Sequence, residues 1–280
     1  MSALSDLLIE PIVRAALAED FGRSGDITSR ACLEPGARFR GRYVVRQPGV
    51  LAGLACVRLA HALVDPQARF EAILADGDTV EHGQVVANIE GDAHAALAAE
   101  RTALNLLCHL SGIATLTSRF VAGAAGTKAR IVDTRKTTPG LRALEKYAVR
   151  MGGGANHRFG LDDAVLIKDN HVAACGGVAE AVRRARAAVG HMLRIEIEID
   201  RLDQLEEALS ERPDIVLLDN FALADLAEAV RRTDGKALLE ASGGVSLESV
   251  RAIAETGVDL ISVGALTHSA PILDIGLDAI

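Results

Sequence analysis

Leu193-Arg194-Ile195-Glu196-Ile197-Glu198-Ile199-Asp200 reads as a strand with two unlike faces. A period of two puts Glu196 and Glu198 on one side and Ile195, Ile197 and Ile199 on the other. The aliphatic side belongs under helices and the carboxylate side toward a polar interior, as in a barrel strand. Outward from it, strands at 129–134, 163–168, 214–219, 237–241 and 258–263 alternate with apolar-periodic helices at about 178–189, 202–210, 222–232 and 246–256. Short strands joined by helices run parallel, because each crossover returns the chain to the same edge. A doubly wound sheet obeys that rule as well as a barrel does. What favours the barrel, besides the two-faced strand, is that Arg135, Lys136, Lys168, Glu198, Asp219, Ser242 and Gly264 all stand at strand ends, where barrel enzymes collect their chemistry. Six strands are too few for closure, so the expected fold is an incomplete, open α/β barrel.

The segment before it is of another kind. Between 37 and 50 and again between 69 and 89, short alternating stretches are separated by turn signals such as Gln47-Pro48-Gly49 and Asp76-Gly77-Asp78. They predict a small β-rich α+β amino-terminal domain with a helix near 54–63. Ala75 to Gly91 is similar to the hammerhead of lipoyl and biotinyl carrier domains, but no lysine stands at its hairpin, which argues against a swinging-arm carrier. A helix over 4–19 is expected to bend or break at Pro11, and a helix over 94–110 to end at Ser111-Gly112-Ile113-Ala114 before a second one reaches about 125. The predicted organisation is a hammerhead-like α+β domain over 1–110, the open barrel over 111–268, and a tail over 269–280 packing back on the first domain.

Composition narrows the function. The 280 residues are 49% hydrophobic but only 3% aromatic, so the core is aliphatic. Cys32, Cys56, Cys108 and Cys175 are scattered without a C-x-x-C pair, which argues against a disulfide framework or a zinc site and fits a reducing cytoplasm. The start of the sequence carries acids and no basic region before its apolar residues, unlike a signal peptide, and no apolar run reaches the roughly 20 residues of a membrane span. Yet between Lys128 and Arg158 there are eight Lys or Arg residues and two acids, in a chain of formal net charge -8. Such a local excess points to a small, multiply charged anion rather than to nucleic acid.

The residues offer that anion several holds. Ser242-Gly243-Gly244 and Gly264-Ala265 follow the last two strands, where glycines let backbone amides approach a phosphate closely, although a Gly-Gly after one strand is by itself most often a tight turn. Glu198 and Asp219 end consecutive strands in a setting suited to a hard cation, or else are neutralised by Lys136 or Lys168 in a salt-bridge network. Arg101, taken alone, is a solvated helix face, and His157 beside Arg158 a structural histidine.

DTRKTTPGLR, GGGANHRFGLDDAVLIKDNH, EIEID, VLLDN, EASGG and ISVGALTHS, in this order, resemble the quinolinate phosphoribosyltransferase family over nearly the whole chain. The resemblance implies transfer of phosphoribosyl from phosphoribosyl pyrophosphate to quinolinate with decarboxylation, in an open α/β barrel. It implies that Arg101, Arg135, His157, Arg158 and Lys168 bind quinolinate. It also implies that Ser242, Gly243, Gly244, Gly264 and Ala265 bind the phosphate, and that Glu198 and Asp219 organise Mg2+ and the ribose. Lys136, with Glu198 and Asp219, is a candidate catalytic residue and a candidate proton donor. A homodimer is implied too, with Arg101 reaching the neighbouring subunit's site. Two other classes remain: a Schiff-base aldolase, since barrel lysines also serve that chemistry, and a metabolite-binding or molybdenum-associated relative of the same fold.

Overall fold

The computed structural model describes residues 4–280; Met1, Ser2 and Ala3, part of the stretch read for a leader, lie outside the described residues. In chain order the elements begin with α1 (Asp6–Phe21), α2 (Ile27–Cys32), β1 (Arg38–Val45), β2 (Gly49–Val50), α3 (Leu54–Val64), β3 (Arg69–Ala72), β4 (Thr79–Val80), β5 (Val85–Asp92) and α4 (Ala93–Gly123). Then come β6 (Arg130–Val132), α5 (Arg142–Met151), β7 (Val165–Ile167), α6 (Asp169–Cys175), α7 (Val178–Ala188), β8 (Ile195–Ile199), α8 (Leu205–Ser210) and β9 (Ile215–Asp219). The chain closes with α9 (Leu223–Thr233), β10 (Leu238–Ser242), α10 (Val250–Glu255), β11 (Leu260–Ser262), α11 (Ala265–His268) and β12 (Ile275–Ala279). No helix among the described residues is long and apolar enough to cross a membrane.

The chain divides into two compact units. One comprises residues up to 118 together with 137–153 and 267–280; the other comprises 119–136 and 154–266.

In the first unit a four-stranded antiparallel sheet runs β12-β1-β5-β3. The carboxyl-terminal strand pairs with β1 from Gly41↔Ala279 to Val45↔Ile275. Two expected interruptions are absent. Helix α1 passes through Pro11 unbroken, burying Ile9, Val13 and Leu17 on one face. The carbonyl that loses its helical donor is that of Leu7, a residue open to solvent that water can satisfy. Helix α4 likewise continues through Ser111-Gly112. The Ser111 hydroxyl donates to the Ala52 carbonyl and accepts from the Ala52 N–H, and a Cβ on Gly112 would stand 2.1 Å from the Pro271 carbonyl oxygen. That glycine is a site of close approach for the tail rather than a helix end.

In the second unit six parallel strands are ordered β6-β11-β10-β9-β8-β7. The last five lie side by side in chain order, and β6, the first, comes next to β11, the last, at Ile131↔Ile261. First strand beside last is the cyclic order of a barrel, whereas a doubly wound sheet reverses direction at a switch point. The ring is open because no ladder joins β6 to β7. Only an isolated parallel bridge, Val132↔Ala155, extends the free edge of β6. In β8 the isoleucines are buried as the alternation requires, and Glu196 is buried as well.

Tyr43 and His61 meet in the first core, hydroxyl to Nε2 at 2.6 Å. Burial pushes the His61 pKa down to about 4. Because the unfolded chain then takes up the proton first, its contribution to stability is complete above pH 6.5 and is lost as the pH falls toward 4. Between pH 7 and pH 5 the protein should lose about 2 kcal/mol more stability than a His61→Gln variant. Parallel pH slopes of urea-unfolding free energy for the two proteins would contradict this.

Candidate active site

Each of the six barrel strands ends at one cavity of about 300 Å3. Thr134, Arg135 and Lys136 follow β6, Lys168 follows β7, Glu198 lies in β8, and Asp219, Ser242 and Ser262 close β9, β10 and β11; all of them line it. His157 and Arg158 line it from the segment between α5 and β7. Arg101 is exposed on α4, in the other unit. Gly243, Gly244, Gly264 and Ala265 follow the strands that deliver Ser242 and Ser262, and Gly243 and Gly244 take φ values of +98° and +57°, which side chains rarely adopt. Helix α10 starts only at Val250, so what these turns offer an anion is backbone amides rather than the field of a long helix.

How Asn156-His157-Arg158 comes to stand beside Arg135-Lys136 was not evident from spacing. The Ala155 N–H donates to the Ile131 carbonyl at 2.9 Å, and the Asp133 N–H donates to the Ala155 carbonyl at 3.2 Å, so this segment lies along β6 as an abortive strand. The Asp133 carboxylate, fully buried, then accepts from the His157 N–H at 2.9 Å and the Asn156 Nδ2 at 2.5 Å. Asp133 therefore fixes the cationic segment without itself facing the cavity. His171 does a comparable task for Lys168: its Nδ1 accepts the Lys168 N–H at 2.9 Å and sets the turn into α6. The visible sign was the KDNH spacing, a three-residue interval typical of helix-start boxes.

The Lys168 ammonium is paired with Glu198. That pairing engages one oxygen of the carboxylate, Oε2. It also places the best-positioned lysine on an acid, where a Schiff-base nucleophile would need a desolvated, neutral amine.

Beneath this cavity lies a second one of about 340 Å3, reached from the amino ends of the strands through Arg130, Arg194 and Leu260. His157, Arg158 and Glu240 line both and so form the partition. His157 Nε2 stands 3.0 Å from Glu196 Oε2 and 3.6 Å from Glu240 Oε1, while its Nδ1 accepts the Arg158 N–H at 2.7 Å. Burial, and then the neighbouring Glu196 charge, push the Glu240 pKa up, with His157 opposing. Burial and Arg135 push the Arg158 pKa down, against Glu196 and Asp163, which favour its charge. Ligand atoms of His157, Glu196 and Glu240 fall within 4.8 Å of one another, as in a metal cluster. Arg158 beside Glu196 supplies positive charge there already, so the trio reads as an internal ionic network. Glu240 had no flag in the sequence, since in LLEAS it has the look of any alternating strand residue.

An open parallel barrel whose carboxyl ends bring cations and the carboxylates Glu198, Asp219 and Glu240 to one cavity, with glycine turns following two of its strands, defines an enzyme that handles anionic, phosphate-bearing substrates. The model of the quinolinate phosphoribosyl transferase C-terminal domain matches residues 113–278, and that of the N-terminal domain matches 26–111. The nicotinate-nucleotide pyrophosphorylase [carboxylating] of Mycobacterium leprae is 50% identical over 271 residues, covering 95% of each chain. Solved structures of nicotinate-nucleotide pyrophosphorylase from Ehrlichia chaffeensis (40% identical, TM-score 0.94, 100% of each chain) and Francisella tularensis (37%, 0.95, 99% and 98%) share the fold. The chain belongs to the quinolinate phosphoribosyl transferase family.

Asp133→Ala removes two hydrogen bonds to a buried carboxylate, worth about 3 kcal/mol together. It should lower the melting temperature by about 5–10 °C and catalytic efficiency by at least tenfold. Asp203→Ala, on the surface, should change neither. Native efficiency in Asp133→Ala would mean that the pairing along β6 suffices to hold the segment.

Proposed function

We propose that the cavity at the carboxyl ends of the barrel strands binds quinolinate and phosphoribosyl pyrophosphate side by side. The reaction transfers phosphoribosyl to the pyridine nitrogen and releases pyrophosphate and CO2, giving nicotinate mononucleotide for de novo NAD biosynthesis. The observation that carries this is the convergence of Arg135, Lys136, Arg158 and Lys168 on one cavity with Glu198 and Asp219. A pyridine dicarboxylate needs two cationic holds, and guanidinium forks meet carboxylates in pairs of hydrogen bonds where a lysine acts as a point charge. In this reading Arg135, Arg158 and Lys168 grip quinolinate. His157 gives the pocket its floor, its ring nitrogens being turned to Glu196 and to the Arg158 backbone.

The loop amides at Gly243-Gly244 and Gly264-Ala265, with Ser242, hold the 5-phosphate. Ribosyl transfer builds positive charge on the sugar as pyrophosphate departs, so cations near the leaving group and carboxylates near the ribose lower the barrier. Glu198 and Asp219 present oxygen donors to the same cavity, the donor type a hard cation takes, and two carboxylates are enough where substrate phosphates and water complete the shell. They would hold Mg2+, which when bound supplies charge to the departing pyrophosphate. Lys136, within the same cavity, is the proposed donor of a proton to the pyridine ring after CO2 leaves.

Arg101 is exposed on its own chain. Its proposed place is the active site of a second copy in a homodimer with shared sites.

Purified protein should release CO2 and pyrophosphate from quinolinate and phosphoribosyl pyrophosphate, and should leave nicotinate unreacted. Pyrophosphate release with nicotinate, or none with either acid, would reject the assignment. Arg158→Ala should raise the KM for quinolinate by roughly ten- to a hundredfold and that for phosphoribosyl pyrophosphate far less; equal effects would remove Arg158 from the quinolinate clamp. Co-expressing Arg101→Ala with Asp219→Ala subunits should recover about a quarter of native activity, because half of randomly assorted dimers keep one intact site. No recovery would place Arg101 outside the partner's site.

A further inference from the structure

Asn220 follows Asp219 directly and holds three things at once. Its backbone N–H donates to the Ser242 carbonyl at 2.9 Å, carrying the β9–β10 register past the end of the strands. Its side-chain Nδ2 donates to Asp219 Oδ2 at 2.7 Å. Its side-chain Oδ1 lies 2.1 Å from where a Cβ would stand on Gly243, so the amide occupies the space a side chain at that position would need. The residue reaches this pose by adopting φ +57°, a left-handed conformation that asparagine tolerates and β-branched residues do not. A single amide thus spans the acid that ends β9 and the glycine turn that follows β10.

We infer that Asn220 is a positioning residue for phosphoribosyl pyrophosphate, fixing the Asp219 carboxylate and the Ser242-Gly243-Gly244 turn relative to each other. This rests on the reading that Asp219 and that turn serve the sugar pyrophosphate. The donor must face Asp219, because a carboxylate can only accept, and that orientation leaves the carbonyl end over Gly243. One Asp219 oxygen is engaged in this way, and the carboxylate is held in one rotamer at the rim of the cavity. Loss of the amide frees the carboxylate to rotate and opens the space above Gly243. Both changes weaken the grip on the phosphoribosyl substrate without touching the cations assigned to quinolinate.

Three substitutions separate this role from a merely structural one. Asn220→Asp keeps the shape and the tolerance of positive φ but sets an acceptor against the Asp219 carboxylate. Asn220→Gly keeps the backbone conformation and deletes the amide, and Asp219→Ala tests the underlying reading. The KM for phosphoribosyl pyrophosphate should rise about tenfold in Asn220→Asp and about three- to tenfold in Asn220→Gly. The KM for quinolinate should stay within twofold in both, and the melting temperature of Asn220→Gly should stay within a few degrees of native. Asp219→Ala should raise the phosphoribosyl pyrophosphate KM further, and adding Asn220→Gly to it should have little extra effect, since the amide has lost its partner. A native phosphoribosyl pyrophosphate KM in Asn220→Asp and Asn220→Gly, with Asp219→Ala impaired, overturns the role of Asn220 alone. A native KM in Asp219→Ala overturns the reading of Asp219 and the inference with it. Equal rises for both substrates in Asn220→Gly would assign Asn220 to general folding and also overturn it.

Discussion

The buried Asp133 carboxylate is the constraint on which the candidate site depends. A fully desolvated carboxylate is costly unless its oxygens are met by donors, and here the donors are the His157 N–H and the Asn156 amide. The stability requirement of one acid thereby becomes the placement of a cationic segment more than twenty residues away in the chain. It also explains an open barrel with a defined edge. The 155–157 segment lies along β6 where a closing strand would pair, and it leaves room for side chains to enter the interior instead of sealing it.

Acids serve opposite purposes at the two ends of the strands. At the amino ends, Asp214 accepts the first N–H of β8 at 2.8 Å and Asp259 accepts the Leu239 N–H at 2.9 Å, each residue preceding one strand and stapling the strand before it. Asp163 does similar work for Phe159 and Gly160. These carboxylates are spent on backbone donors. At the carboxyl ends Glu198 meets a lysine and Asp219 a single amide, so oxygen remains for a substrate or ion. The division follows from strand polarity: amino ends present unpaired N–H groups that call for acceptors, and carboxyl ends present carbonyls that call for none.

Much of this was legible in the residues. All six barrel strands stand where periodicity places them, because each is a short aliphatic run closed by polar residues, and LRIEIEID named the inward face. The repeat of Asp214-Ile215-Val216-Leu217-Leu218 in Asp259-Leu260-Ile261-Ser262-Val263 also stood in plain view, although its stapling role needs the register of neighbouring strands to be seen. Pro11 and Ser111-Gly112 misled for a shared reason. Local propensity counts a proline or a Ser-Gly as a stop, whereas tertiary packing set the outcome: one unpaired carbonyl near solvent was cheap, and the tail needed a surface without a side chain at 112. Asp133, Glu240 and Asn220 escaped notice because their importance lies in partners distant in sequence.

The partition between the two cavities shows why such residues matter to the chemistry. Arg158, with Arg135 close by, brings positive charge to a depth where water is scarce, and electrostatic interactions there are stronger than at a surface. Left alone, two close cations would repel and lose solvation, as the lowered Arg158 pKa records. Glu196, which lines only the lower cavity, offsets part of that cost from the side away from the upper one, while Glu240 stands in the partition itself. Glu196 therefore stabilises Arg158 without competing for the face on which an anion would bind. A barrel interior lined only with aliphatic side chains could not sustain this arrangement. The alternation of acid and isoleucine in β8, which first distinguished this strand, is for that reason a requirement of the site as much as of the fold.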